Sequence, residues 1–279
     1  MMTGGIIQSH MIRTLTANFH DEPDREEAFI GKIITGEIDQ IIWSGNEPLD
    51  WNLHWQTMQF LIDSGFAKNI FVQYSTMLPR VEWKKRNLFE DILPHFKGSH
   101  INATIMTIQE GSDYIFQTIS WDKWRNHLNL AIENACKRNN HSISLDVALT
   151  LPGLLAIEDI VSFLDQLGLP FQSRIFESSG PECILTPLVL PRELLNEVID
   201  NTVKSLFAKA TITNLRIIQT LLNIRKSSVH EEAYPSLWKQ QLRTGKAKLE
   251  TSESTKNHQL YFIDLLSKHP KVLQWWLEQ

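Results

Sequence analysis

Gln40-Ile41-Ile42-Trp43-Ser44-Gly45-Asn46-Glu47-Pro48 is the stretch on which the reading of the fold turns. A short β-branched run ends in a turn, and residues 53–64 then place Leu53, Met58, Leu61 and Ile62 on a broad apolar helical face. Gly65 follows, as a glycine does where a helix stops in a left-handed residue. Strand, turn and helix in that order make one βα unit.

The same unit recurs downstream. Residues 69–76 read as a second strand and 81–96 as its helix, with Pro94 near the end and Lys84-Lys85-Arg86 on a solvated face. Residues 101–108 form a third strand, leading through Gln109-Glu110-Gly111-Ser112 to a helix that Ser120 caps and whose inner face carries Trp121, Trp124, Leu128 and Ala131. A fourth strand covers 143–149, its helix covers 156–167, and Gly168 closes that helix. A fifth strand at 171–177 enters the turn Ser178-Ser179-Gly180-Pro181. Such alternation predicts an α/β fold on a parallel sheet.

From Pro191 onward the pattern is helical. Helices are expected at 192–207, 213–225 and 261–267, with 246–258 as a polar, mobile connector. Trp275-Trp276, with Leu273 and Leu277, is expected to dock on this helical part. At the other end, 12–19 reads as a strand and 26–34 as a helix after Asp21-Glu22-Pro23-Asp24. The expected division is an N-terminal segment 1–35, a barrel part 36–190 and a helical extension 191–279.

Composition narrows the function classes. With 279 residues and 42% apolar content the chain can bury a full core, and 32 acidic against 27 basic residues advertise no nucleic acid partner. No apolar run approaches the length of a membrane span, and the start lacks a charged leader followed by an apolar stretch, so a cytoplasmic protein is expected. Cys136 and Cys183 are the only cysteines, too few for a cubane cluster or structural zinc. The ten histidines include no HxxxH or HxH pair, and no nucleophile elbow, Walker loop or Rossmann glycine fingerprint occurs.

Ligands of parallel α/β proteins sit where strands end, which directs attention to Ser44–Pro48, 75–78, 109–112, 150–153 and 177–180. A Gly-Asn pair can turn backbone amides or carbonyls outward, and Glu47 adds a carboxylate suited to an ammonium group. An ordinary βα turn has the same composition. Trp51 and Trp55 follow the turn one helical turn apart and are candidates for stacking on a ligand.

Ser44-Gly45-Asn46-Glu47-Pro48 resembles the Gly-Gly-Glu-Pro motif of radical S-adenosylmethionine enzymes. Ala67-Lys68-Asn69-Ile70 through Thr76, Ile105 to Gly111, Ser120-Trp121-Asp122-Lys123-Trp124 and Cys183 to Leu194 are similar, in order, to further motifs of the branch with a twitch domain. The resemblance spans about residues 30–215 and implies a partial (β/α) barrel with a C-terminal helical extension. It implies S-adenosylmethionine as ligand, with Ser44, Gly45, Asn46, Glu47 and Pro48 near its methionine amino group and Thr76 and Gln109 in neighbouring polar positions. Asn46 replaces a motif glycine, Met77 follows Thr76 where Asn is common, and Gln109-Glu110 replaces Ile-Asp-Gly. The family's 4Fe-4S cluster has no Cys-x-x-x-Cys-x-x-Cys ligands in this chain, so radical chemistry by the chain alone is not expected. Three arrangements stay open: a C-terminal part of a longer product, a cluster segment on another polypeptide, or a degenerate relative. The alternative is a non-catalytic module that takes a peptide or protein partner on the open barrel edge.

Overall fold

A computed structural model describes residues 14–17, 31–32, 35, 38–177, 184–209, 211–256 and 260–279. The expected turn at 178–181 and nearly all of the helix expected at 26–34 lie outside these residues, as does Cys183. Strands β1 (Thr14–Ala17), β2 (Gln40–Trp43), β3 (Phe71–Thr76), β6 (Gly98–Ile105), β7 (His141–Leu149) and β8 (Phe171–Ile175) form one sheet in the order β1-β2-β3-β6-β7-β8. The pairs β1/β2, β2/β3, β3/β6 and β7/β8 are parallel. The remaining strands, β4 (Glu82–Trp83) and β5 (Arg86–Asn87), make a separate antiparallel hairpin.

Two compact units interleave along the chain, Met1–Ala103 with His127–Ile143, and Thr104–Asn126 with Ser144–Gln279. In the first, the pleat sorts each strand into two faces. Ile41, Trp43, Val72 and Tyr74 are fully buried, while Gln40, Ile42, Gln73 and Ser75 on the alternate row are half-buried. Helix α1 (Asn52–Asp63) covers the apolar row with Trp55, Met58 and Leu61, and its His54 ring meets Trp43 edge-on at 4.8 Å and Tyr74 at 5.4 Å. Each such large side chain withdrawn from water contributes about 1.5–3 kcal/mol. On the polar row Gln40 Nε2 donates to Gln73 Oε1 at 3.3 Å, and His100 Nδ1 pairs with Ser142 Oγ at 2.9 Å.

The helix expected at 81–96 is not formed. Lys84 and Lys85 take left-handed φ of 47° and 65°, turning β4 back onto β5, and Leu88 N donates to Val81 O at 2.7 Å. Asn87 Oδ1 then accepts from Phe89 N and Glu90 N, starting a π-helical turn at Leu88–Ile92, and Leu93–His95 is a 3-10 turn around Pro94. Leu88, Phe89, Ile92 and Leu93 are all buried, a clustering too wide for one stripe of a regular helix.

In the second unit, residues 109–112 are no loop: they open helix α2 (Gln109–Phe116), which precedes α3 (Trp121–Lys137). Lys123 N donates to Ser120 Oγ at 3.4 Å, the expected cap. After β7 a short helix not expected from the sequence, α4 (Leu151–Leu155), precedes the expected one, α5 (Ile157–Leu167), and Gly168 ends α5 at φ 62°. Helices α6 (Arg192–Phe207) and α7 (Ile212–Lys226) pair, and Thr220 of α7 bonds Ser173 of β8 through their hydroxyls at 2.6 Å. The chain continues through α8 (His230–Ala233), α9 (Trp238–Lys256), α10 (Phe262–Leu266) and α11 (Pro270–Leu277).

Helix α9 overturns the mobile connector expected at 246–258, as far as residue 256. Its polar sequence is held by long-range partners: Glu253 Oε1 accepts from Tyr114 Oη at 2.7 Å and Phe262 N at 2.6 Å, and Lys246 Nζ donates to Trp276 O at 2.9 Å. Trp275 and Trp276 dock as expected, buried beside Phe262. Among the described residues no helix is long and apolar enough to cross a membrane.

Candidate functional site

The turn after β2 begins with Ser44 half-buried and Gly45 and Asn46 exposed, Gly45 at φ 124°, a backbone that side chains rarely tolerate. Glu47 then turns inward and is 5% exposed. Pro48–Asp50 is a 3-10 turn, and Glu47 caps it by accepting from Leu49 N on Oε1 at 3.1 Å. The same oxygen accepts from Thr76 Oγ1 at 2.6 Å, and Oε2 accepts from Met77 N at 2.7 Å. The carboxylate therefore ties the end of β2 to the end of β3, across 29 and 30 residues of sequence. Burial pushes its pKa up, against the opposing pull of Thr76, Met77 and Leu49.

Thr76, 3% exposed, extends the chain of bonds. Its Oγ1 accepts from Leu78 N at 2.9 Å, and Leu78 O is bonded to His127 Nδ1 at 2.8 Å. Leu78 sits fully buried at φ 51°, a left-handed conformation for a leucine, so the bonds on both sides of it hold a backbone that the residue alone would leave.

Arg80 had no signal in the sequence, and it completes the turn. Leu49 O accepts from Arg80 Nε at 2.5 Å and from Trp55 Nε1 at 2.8 Å, and the guanidinium lies 5.9 Å from the Trp55 ring centre. Trp55 is fully buried and stacks on Trp83 with 11° between planes, so it is a core residue and not a ligand platform; Trp51 is half-buried. His54, beside it, bonds Tyr74 Oη through Nε2 at 2.9 Å, and burial followed by the Arg80 charge lowers its pKa to about 3. The imidazole is neutral at pH 7.

Ser44, Gly45, Asn46, Glu47, Pro48 and Thr76 thus share the first unit, and the structure joins Glu47 to Thr76 directly. Gln109 belongs to the second unit, where it is exposed as the first residue of α2 with φ 52°. Chemically, the exposed backbone of Ser44 to Asn46 offers carbonyls and amides at a strand end, above a carboxylate already saturated by internal donors. Such a turn can bind a small polar group. No group of three or more His, Cys, Asp or Glu side chains able to hold a metal occurs among the described residues. No protein-family model, curated protein or solved structure matches the chain.

Proposed function

We propose that the chain is a partial (β/α) barrel of the radical S-adenosylmethionine type that binds the sulfonium cofactor at the Ser44–Pro48 turn and does not cleave it. The observation that carries this reading is the strand order. Described strands of the main sheet succeed one another across it in chain order, without the reversal that marks a doubly wound sheet. With right-handed crossovers such an order keeps the helices on one face and leaves the other to line a lumen. The half-buried row, in which Gln40, Gln73 and Ser75 stand beside Ile42 and Phe71, is more polar than the faces of a doubly covered parallel sheet and fits a lumen better.

On this reading the backbone of Ser44, Gly45 and Asn46 takes the methionine ammonium. Glu47 acts from below, fixing the turn and supplying negative charge, with Thr76 and Pro48 holding it in place; Gln109, in the other unit, has no part in this proposal. Bound S-adenosylmethionine would supply an electrophilic sulfonium, and reductive cleavage would need a cluster that this chain does not ligate. Calorimetric titration tests the reading: saturable binding is expected, weakened at least tenfold by Asn46→Lys, which sets a second cation beside the ammonium on an exposed position that the fold does not use. Absence of saturable heat with the wild-type chain overturns it.

One observation favours a second reading, a non-catalytic interaction module. Phe207, Ile212 and Leu215 are 57%, 75% and 50% exposed where α6 passes to α7. A partner retained by the wild-type chain and released by Ile212→Glu with Leu215→Glu, without affinity for S-adenosylmethionine, would favour this reading over the first.

A further inference from the structure

Helix α9 is attached to the second unit by different forces along its length. Its first turns are anchored by apolar burial, with Trp238 at 6% and Leu242 at 2% exposure. Gly245 follows, a residue that weakens a helix interior through the backbone freedom it regains when the helix opens. Over residues 246–254 the apolar content is Ala247, exposed, and Leu249, half-buried, and the buried side chain is the carboxylate of Glu253. Helix α7 is held in the opposite way, by burying Ile217, Ile218, Leu221 and Ile224.

Beyond Gly245 polar bonds take over the attachment. Glu253 Oε1 accepts from Tyr114 Oη at 2.7 Å and from Phe262 N at 2.6 Å. Lys246 Nζ donates to Trp276 O at 2.9 Å and lies 5.4 Å from the centre of the Trp276 ring. The residues so bonded make one aromatic floor, since the Tyr114 and Phe262 ring centres are 6.0 Å apart and those of Phe262 and Trp276 4.7 Å. All three rings are buried with α9 in place. The second half of α9 is thus a polar cover on an apolar surface.

We propose that residues 246–256 form a latched strap, which lifts from the Tyr114–Phe262–Trp276 floor by bending at Gly245 while the rest of the second unit stays folded. The latch is the Glu253 carboxylate with the Lys246 ammonium. Opening breaks their bonds, returns both charges to water and bares the three rings, while Trp238 and Leu242 keep the strap tethered for reclosure. The charges regain hydration on opening, so the closed form is held by the latch bonds and by the cover given to the rings, a small part of what holds the unit together. The inference rests on the second unit alone and stands apart from the proposal for the Ser44–Pro48 turn.

Native-state hydrogen exchange of the whole chain, read peptide by peptide, tests it. Protection of the 246–256 amides is expected to lie about a hundredfold or more below that of α7. Tyr114→Phe keeps the ring and removes one latch bond, and Glu253→Ala removes both bonds of the carboxylate. Protection of 246–256 should fall a further tenfold or so in the first variant and by more in the second, with α7 unchanged in both. Tyr114→Phe keeps the test valid if Glu253→Ala melts early. Protection of 246–256 equal to that of α7, or a fall that α7 shares in the variants, means that the segment opens only with the whole unit and overturns the proposal. Protection of 246–256 that is indifferent to both substitutions overturns it as well, because there is then no latch.

Discussion

The turn after β2 and the start of α2 after β6 are both strand ends, and they are built in opposite ways. At the first, Glu47 accepts from Leu49 N, Thr76 Oγ1 and Met77 N, and the turn is finished internally. At the second, α2 begins without a side-chain cap, at a left-handed Gln109, and its first amides are left without an intrahelical acceptor. The difference teaches that an acidic side chain in a ligand-edge motif is no evidence of a free ligand contact. A satisfied carboxylate shapes its turn, whereas unsatisfied donors are what a ligand can still answer.

The largest effect should come from breaking the finished turn. Glu47→Ala leaves two backbone amides and the Thr76 hydroxyl buried without acceptors and should cost about 3 kcal/mol or more in denaturant unfolding. A loss under about 1 kcal/mol would mean that water replaces the carboxylate and that the turn is open after all.

Acid sensitivity comes next. His54 has a folded pKa near 3, below its unfolded value, so the unfolded chain binds the proton first. Its stabilising contribution is complete above pH 6.5 and is lost as pH falls toward 3, at up to about 1.4 kcal/mol per unit. Glu47 works the other way: its raised pKa favours the folded state below the usual carboxylate range and loses that advantage as pH rises through the folded value. Urea unfolding between pH 6.5 and 5 should therefore lose stability in the wild type and run flatter in His54→Phe; identical slopes would remove His54 as the cause.

Smaller effects separate the two left-handed residues. Gly45→Ala forces a Cβ onto a backbone at φ 124° and should cost about 1–2 kcal/mol. Gln109→Gly relieves a strained residue and should be neutral or stabilising by up to about 1 kcal/mol. Asn46→Ala, on an exposed side chain, should change stability by less than about 0.5 kcal/mol. Equal responses at Gly45 and Gln109 would erase the contrast.

What could be read in advance follows the range of the forces involved. Strand and helix rhythm, the Gly65 and Gly168 stops and the Ser120 cap are local, and each is recovered within a few residues. Residues 81–96 misled because buried Leu88, Phe89 and Ile92 mimic a helical stripe, while the decisive signal, two lysines in left-handed conformation, has no composition of its own. Helix α9 was hidden because Glu253 finds Tyr114 across 139 residues. The candidate site divides in the same way. Its glycine turn was visible, but two of the three partners of Glu47, Thr76 and Met77, lie about 30 residues away, and Arg80, which holds Leu49 O, sits beyond the next strand.

The tryptophans carry a practical consequence. Trp55 and Trp83 stack in the first unit at 6.3 Å between ring centres, and Trp121 and Trp124 stack in the second at 5.1 Å, each pair within 12° of parallel. Two indoles in such contact share excitation and shape one another's near-ultraviolet ellipticity and emission, and they lose both when they separate. The chain thus carries an optical reporter for each half of its fold. Trp83→Phe silences one and Trp121→Phe the other, so a single melting experiment repeated on the two variants would show whether the halves come apart together or in turn.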